Sequence, residues 1–193
     1  MILASLKPYY YYLIGERKKN IEVRKSALKN LPQDIVFYMS KDEKSFAKIP
    51  KKFQGKYREH FGKIGIRAVV DKIGKMKMII DDFGNLILLS SIAIWGFNHC
   101  LSNDELDAYL DGKTGYGWHI SDLKIYDKPK ELSEFTSPRV CGNYKDLPAY
   151  IHVGCDMCEY SYVINCMTKC RVNGKVPLTR PPQSYMRVEE LGE

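Results

Sequence analysis

The stretch from Leu3 to Lys25 constrains the fold more than any other part of the chain. It begins with apolar residues, continues with Lys7-Pro8, and reaches a glycine at position 15 before a second apolar and charged stretch. Proline suits the first position of a helix, because the backbone N–H that it lacks would have no partner there. Glycine is common directly after a helix end. The sequence therefore predicts a short strand, a short helix that begins at Pro8 and is closed by Gly15, and a second strand.

The second strand, Ile21-Glu22-Val23-Arg24, alternates apolar and charged residues, which is the period of a half-buried strand. This alternation places Glu22 and Arg24 on one face, and Lys19 stands at the entrance of the strand. An acid between two bases suits the floor of a polar pocket. The same three residues would also form an ion-pair lattice that satisfies itself, and the residues alone leave both interpretations open.

The rest of the chain predicts more strands than helices. Strands are expected at 34–40, 65–73, 77–81 and 116–126, where β-branched and aromatic residues concentrate. Residues 86–97 are apolar and fit a strand pair or a strand and a short helix. Ser102 and Glu105 have the spacing of a capping box, which predicts a helix ending near Gly112. The basic residues 41–63 predict a long exposed loop with a short helix near 55–61, in which His60 is solvated. This pattern predicts an α+β, mainly β fold, and it leaves open whether the sheet closes into a barrel.

Several of these residues together resemble the signature of ASCH domains, a family of PUA-like proteins. The matching positions are Ser5-Leu6-Lys7-Pro8, Gly15, Lys19, Glu22 and Arg24. Residues 116–129 resemble the closing strand of bacterial and phage members, and residues 179–185 resemble their tail. The gap from Gly15 to Lys19 is longer than in the family, so Lys18 can share the role of Lys19. The resemblance implies a PUA-like small β-barrel with a few short helices at residues 1–135. A Cys-rich extension at 136–193 would follow and pack back on the barrel.

The resemblance also implies a ligand pocket at the mouth of the barrel. Arginine and lysine can hold a phosphate or a base edge, and a glutamate can accept a hydrogen bond from an exocyclic amine. Trp118 or one of the tyrosines 9–12 would stack a base. His119 is expected to share the pocket side of its strand with Ser121. The predicted ligand-binding residues are Lys7, Lys19, Glu22, Arg24, Trp118, His119 and Ser121.

An enzyme is an alternative to a binding module. Some small ASCH-like proteins hydrolyse a modified cytidine with the motif lysine, a threonine three residues later and a downstream carboxylate. Glu22 stands at the threonine position here, and residues 98–100 offer no acid, which argues against that amidohydrolase reaction. A ribonuclease would use Lys19, Glu22 and His99 for acid–base chemistry, although a lone histidine is more often structural. A further alternative is a phage or host adaptor whose basic face binds a protein.

Charge is distributed unevenly along the chain. The net charge is +7, but residues 1–77 carry 19 Lys and Arg against 7 Asp and Glu, whereas residues 78–193 carry 11 against 16. A basic half predicts an anionic partner, namely RNA, single-stranded nucleic acid or a modified nucleotide. Solvated Lys-rich loops are the plainer explanation. The longest uncharged run, 86–100, is too short and polar to span a membrane, and no secretory signal is visible, so a cytoplasmic protein is expected.

Five of the six cysteines lie in the last third of the chain. Cys155 and Cys158 form one pair, and Cys166 and Cys170 form another, which predicts a structural zinc site with four thiolates. Cys141 and His152 are reserve ligands. Buried free cysteines are the alternative, and Cys100 is expected to be a core residue.

Overall fold

The computed structural model describes residues 1–91, 98–136 and 178–191. The strands are β1 (Ile2–Leu6), β2 (Ile21–Arg24), β3 (Gln33–Met39), β4 (Ile64–Ile80), β5 (Leu86–Ser90), β6 (Gly115–Lys130), β7 (Phe135–Thr136), β8 (Tyr185–Arg187) and β9 (Glu189–Glu190). The α-helices are α1 (Pro8–Gly15), α2 (Glu43–Phe46), α3 (Lys51–Arg58) and α4 (Asn103–Leu110), and a 3₁₀ turn spans Leu132–Glu134. The predicted mainly β fold with a few short helices is confirmed.

Seven strands form one curled sheet in the order β2-β6-β4-β3-β1-β8, with β5 paired to the far end of β4. The β1–β3 pair is parallel, and the other neighbours are antiparallel. The long strands β4 and β6 pair through three register shifts. Such shifts bend a strand and increase its twist, which lets a sheet of this length curl into a half-barrel.

The main core lies between the concave face of the sheet and helices α1 to α3. Its largest side chain is Trp118, which is fully buried and donates from Nε1 to the carbonyl of Ser26 at 3.1 Å. Burial of one large apolar side chain contributes about 1.5–3 kcal/mol, and this core contains more buried side chains than either of the other two clusters. A second cluster on the other face includes Leu3, Val36 and Val188, and α4 covers a third around Val23 and Met78.

The segment 41–63 is not the exposed loop that the sequence predicts. Asp42 caps α2 by accepting from the backbone N–H of Ser45 at 3.0 Å, and α3 follows directly after Pro50. His60 is only 4% exposed, and its Nδ1 lies 2.9 Å from the hydroxyl of Tyr11. Burial lowers the pKa of His60, which favours the neutral ring. The prediction of a solvated His60 is therefore wrong, because a partner 49 residues away along the chain holds it in the core.

Helix α1 begins at Pro8 as predicted, but Gly15 has a different role. Gly15 is the last helical residue, and the left-handed conformation falls on Arg17. A Cβ on Gly15 would lie 2.4 Å from the hydroxyl oxygen of Tyr57. Glycine is therefore required by the close packing of α1 against α3 rather than by the end of the helix.

The capping box of α4 is confirmed. The hydroxyl of Ser102 accepts from the backbone N–H of Glu105 at 3.1 Å, and the Glu105 carboxylate accepts from the N–H of Ser102 at 2.9 Å. The two predicted strands at 65–73 and 77–81 are one continuous strand, β4. The long bent pairing with β6 accounts for this, because it continues through residues 74–76 between the two predicted strands.

Residues 178–191 return to the sheet. Strand β8 pairs with β1, β9 pairs with β7, and the hydroxyl of Ser5 donates to the carbonyl of Pro182 at 2.8 Å. The boundary at 135/136 stays a prediction, since residues 137–177 lie outside the described part. Across the helices that the structure describes, none has the length and apolar character needed to cross a membrane.

Candidate ligand-binding cleft

A cleft of about 780 Å³ opens between the start of α1, strand β2, helices α2 and α4, and the returning tail. Its volume lies within the range of about 300–1,000 Å³ that is usual for small-molecule sites. The residues that line the cleft are Ser5, Leu6, Lys7, Tyr9, Tyr10, Lys19, Glu22, Val23, Arg24, Ser40, Asp42, Lys44, Ser45, Lys48, Leu101, Glu105, Ala108, Tyr109 and Gln183.

Lys19, Glu22 and Arg24 meet at the floor of the cleft. The ammonium of Lys19 lies 3.5 Å from Oε2 of Glu22, and Nε of Arg24 lies 3.1 Å from Oε1. The three residues are 3%, 7% and 6% exposed, respectively. The Arg24 Nε contact is electrostatic and lacks the alignment of a hydrogen bond. Glu22 thus lies between two buried cations. The three residues form an ion-pair lattice, as one interpretation of the sequence predicts, and that lattice also lines a cleft.

The ammonium of Lys19 is held from several sides. It donates to the carbonyl oxygens of Ile21 and of His99, the latter at 2.8 Å, in addition to its contact with Glu22. Burial lowers the pKa of Lys19, while the Glu22 carboxylate acts in the opposite direction. Two carbonyl acceptors and a carboxylate are the environment of a donor, so Lys19 serves as a fixed positive charge.

Arg24 bridges the two ends of the curled sheet. It lies on β2, the first strand in the spatial order, and its guanidinium donates to the carbonyls of Ser5 at 2.8 Å and Ser184 at 3.2 Å. Ser5 belongs to β1 and Ser184 directly precedes β8, which are the last two strands in that order. The planar donor fork of arginine can bond both carbonyls and face Glu22 at once. Arg24 therefore links the cleft floor to the returning tail.

The cleft wall is aromatic and its rim is basic. Tyr9 and Tyr10, from the first turn of α1, and Tyr109 of α4 contribute rings. Lys7, Lys44 and Lys48 are exposed and line the same opening. Of the tyrosines 9–12, from which the sequence predicts a stacking partner for a base, Tyr9 and Tyr10 line the cleft, and stacking itself stays a prediction.

Trp118, His119 and Ser121 lie elsewhere. Trp118 pairs with Glu22 across β2 and β6 and so shares its face, but it is sealed in the core beneath the cleft. His119 pairs with Ile21 and therefore points to the other face, where its Nδ1 lies 2.6 Å from Asp71. The Ser121 hydroxyl donates to the carbonyl of Val69. The expectation that His119 and Ser121 share the pocket side is wrong, because Trp118 takes the inward position of this strand.

His99 contacts the cleft residue Lys19 but does not itself line the cleft. Its carbonyl accepts from Lys19, and its Nδ1 accepts from the N–H of Leu101 at 3.2 Å, which leaves Nε2 as the protonated nitrogen of the neutral ring. Burial and the charge of Lys19 lower the pKa of His99. Cys100 is half-buried against the main core, and burial raises the pKa of its thiol.

The predicted zinc ligands lie outside the described residues: Cys155, Cys158, Cys166 and Cys170, with the reserves Cys141 and His152. Within 1–91, 98–136 and 178–191, no three metal-ligating side chains come together.

The cleft contains residues that the sequence analysis did not single out. Lys44 lies on α2, Lys48 follows that helix, Tyr109 belongs to α4, and Gln183 comes from the tail. The Asp42 cap was the available signal for α2, since an aspartate before a charged turn favours a helix start. No local signal marks Gln183, because its place depends on the pairing of β8 with β1.

Comparison with known proteins gives structural matches only. No family model and no curated protein matches the chain. The chain is similar to solved ASCH structures. The ASCH protein from Zymomonas mobilis is 17% identical over 96% of this chain and 85% of that chain, with a TM-score of 0.44. A serine-to-alanine variant of it is 15% identical over the same shares, with a TM-score of 0.48. A tyrosine-to-phenylalanine variant is 17% identical over 68% of this chain and 75% of that chain, with a TM-score of 0.44. These matches fall in the family that the motif from Ser5 to Arg24 resembles.

Proposed function

We propose that the protein binds RNA or another single-stranded nucleic acid, or a modified nucleotide, with one nucleotide in the cleft. The observation that carries this proposal is the cleft itself, in which a buried Lys–Glu–Arg floor lies beneath tyrosine rings and a lysine rim.

The floor suits the edge of a base. The Glu22 carboxylate is an acceptor that is already oriented by two cations, so it can receive an exocyclic amine without rearrangement. The rings of Tyr9 and Tyr10 stand at the wall, where a base can stack on an aromatic face. Floor and wall together favour a planar, amine-bearing ring over a flexible aliphatic ligand.

The rim suits a phosphate. Lys7, Lys44 and Lys48 surround the opening, and the first 77 residues carry most of the positive charge of the chain. Phosphate contacts supply affinity that does not depend on sequence, whereas contacts to base edges supply specificity. In this cleft the lysines of the rim contact phosphates, and the residues of the floor contact the edge of a base.

Binding is a better match to this geometry than hydrolysis. A general base needs a lone pair, yet the Lys19 ammonium is directed at carbonyl and carboxylate acceptors. His99 uses its Nδ1 for the Leu101 N–H and does not line the cleft. Release of nucleotides from RNA incubated with the protein would contradict this part of the proposal.

Fluorescence anisotropy with a short labelled single-stranded RNA tests the proposal. Replacing Lys44 and Lys48 by alanine should weaken binding and reduce the slope of log K against log salt by about 0.7 for each phosphate that the lysines no longer neutralise. The matched control replaces Lys72 and Lys77, which are exposed on β4 outside the cleft, and should leave both quantities nearly unchanged. Equal losses of affinity in the two double variants would mean that general charge, and not the cleft, attracts RNA.

We also propose that Cys155, Cys158, Cys166 and Cys170 bind one structural zinc ion. Paired thiolates at this spacing in a chain with five cysteines in its last third support the proposal. Metal analysis of protein purified without chelator should find about one zinc per chain, since four thiolates hold a single ion. Chelation should unfold the extension before the barrel. Freely reactive thiols in metal-free native protein would refute the site.

A further inference from the structure

A row of aromatic rings leads out of the cleft. Its members are Tyr10, Tyr9, Tyr12 and Phe53, and successive ring centroids are 5.8, 6.3 and 5.3 Å apart. The first two line the cleft, whereas Phe53 lies on α3 beyond its wall. Tyr12 is buried between them and supports its neighbours, and the other three rings are half-buried.

Lysine ammonium groups lie over three of the four rings. Lys19 lies over Tyr10 at 5.7 Å, Lys18 over Tyr12 at 5.3 Å and over Phe53 at 5.9 Å, and Lys52 over Phe53 at 5.0 Å. Two ammonium groups thus converge on the Phe53 ring from different elements of the chain. We name the four rings with Lys18, Lys19 and Lys52 the aromatic–lysine row.

The two outer lysines are available to a ligand. Within the described part of the chain, Lys18 and Lys52 form no ion pair, and Lys18 instead donates to the hydroxyl of Tyr12 at 3.0 Å. The nearby Glu16 carboxylate is engaged by Lys56 at 2.9 Å and by the Tyr57 hydroxyl at 2.8 Å. Lys18 and Lys52 thus place two positive charges beside the ring of Phe53, while the Glu16 carboxylate is already paired. This arrangement favours the binding of an anion.

We propose that the aromatic–lysine row binds the nucleotides that flank the one in the cleft, so that the protein recognises a short single strand and not a free nucleotide. This inference rests on the proposed function of the cleft. The phosphates lie between Lys18 and Lys52, and a flanking base stacks on the half-buried ring of Phe53.

Single-stranded nucleic acid fits the row better than a duplex or an acidic peptide. Unpaired bases stack on aromatic side chains, and lysines that follow the same row match the regular charge of the backbone. A duplex keeps its bases in its own stack. An acidic peptide would use the lysines but would leave the rings without a partner.

The test compares adenosine 5′-monophosphate with penta-adenylate, by calorimetry on the full chain. Penta-adenylate should bind at least ten-fold more tightly. Phe53→Leu keeps an apolar side chain against the core and removes the ring, and it should weaken the binding of penta-adenylate about ten-fold, because one base loses the ring on which it stacks. The affinity for the monophosphate should not change. Lys52→Ala should reduce the salt slope for penta-adenylate by about 0.7.

Phe83→Leu and Lys72→Ala are the matched controls. Phe83 is 90% exposed in the turn between β4 and β5, and Lys72 is an exposed lysine away from the row, so neither change should affect binding. Thermal melting of each variant confirms that it is folded.

The outcomes separate the row from the cleft. Equal affinity for the two ligands, with binding still sensitive to the Lys44 and Lys48 changes, would overturn the row and leave the cleft standing. Binding of penta-adenylate that needs Phe53 but ignores the cleft lysines would overturn the cleft, and with it the arrangement in which the row binds flanking nucleotides. Competition by polyglutamate that equals competition by RNA of the same charge would also overturn the row, because stacking would then contribute nothing.

Discussion

Replacing Arg24 by alanine is expected to lower the free energy of unfolding by about 3 kcal/mol and to release the tail from the sheet. Removing one partner of a buried ion pair costs about 3–5 kcal/mol, because it leaves the other charge uncompensated. The lower end applies here, since Lys19 still faces Glu22 at 3.5 Å. The carbonyls of Ser5 and Ser184 lose the arginine donor at the same time, so β8 should separate from β1 more readily.

Urea unfolding measures the first effect, and hydrogen exchange at residues 185–188 measures the second. Arg24→Lys separates charge from geometry, because lysine keeps the positive charge but lacks the fork that reaches both carbonyls. It should give an intermediate loss of stability with faster exchange in the tail. Arg187→Ala is the control, since Arg187 is an exposed arginine on β8, and its loss should change stability by less than about 0.5 kcal/mol. Unchanged tail exchange in Arg24→Ala would show that Arg24 does not hold the two ends of the sheet together.

Features whose partners lie close in sequence were predictable. The cap of α4 involves residues three positions apart, and the alternation of β2 shows directly which of its side chains share a face. The motif from Ser5 to Arg24 identified the floor of the cleft because its residues lie on β1, α1 and β2 or in the short connections between them, which follow one another along the chain.

Features that depend on distant partners were not predictable. His60 looks solvated among lysines, and only the fold brings it to Tyr11. On β6, alternation requires that Trp118 and His119 face opposite ways, but the choice between them depends on the register with β2, in which Trp118 opposes Glu22. The face of a side chain also does not show how deeply it is buried. Trp118 shares the face of Glu22 but is fully buried in the core. The partners of Arg24 are up to 160 residues away.

The Lys19–Glu22–Arg24 cluster lines a cleft and is also an ion-pair lattice, so a single substitution can test both roles. Glu22→Gln keeps the shape of the side chain and removes the negative charge between two buried cations. Stability should fall by about 3 kcal/mol, the lower end of the cost of removing one partner of a buried ion pair, because the amide oxygen of glutamine can still accept a hydrogen bond. Recognition should change as well, because the amide presents both a donor and an acceptor where the carboxylate only accepts. The preference for bases with an exocyclic amine over uracil should therefore disappear.

Glu105→Gln is the matched control for this change. Glu105 lines the same cleft, but its carboxylate caps α4 by accepting from Ser102, and glutamine can take the same place in a capping box. This variant should keep both stability and base preference. Melting temperature and the ratio of affinities for adenylate and uridylate oligonucleotides, measured on both variants, decide the matter. A loss of stability in Glu22→Gln with an unchanged affinity ratio would leave the lattice as the whole role of these residues and would end the case for base recognition at the floor of the cleft.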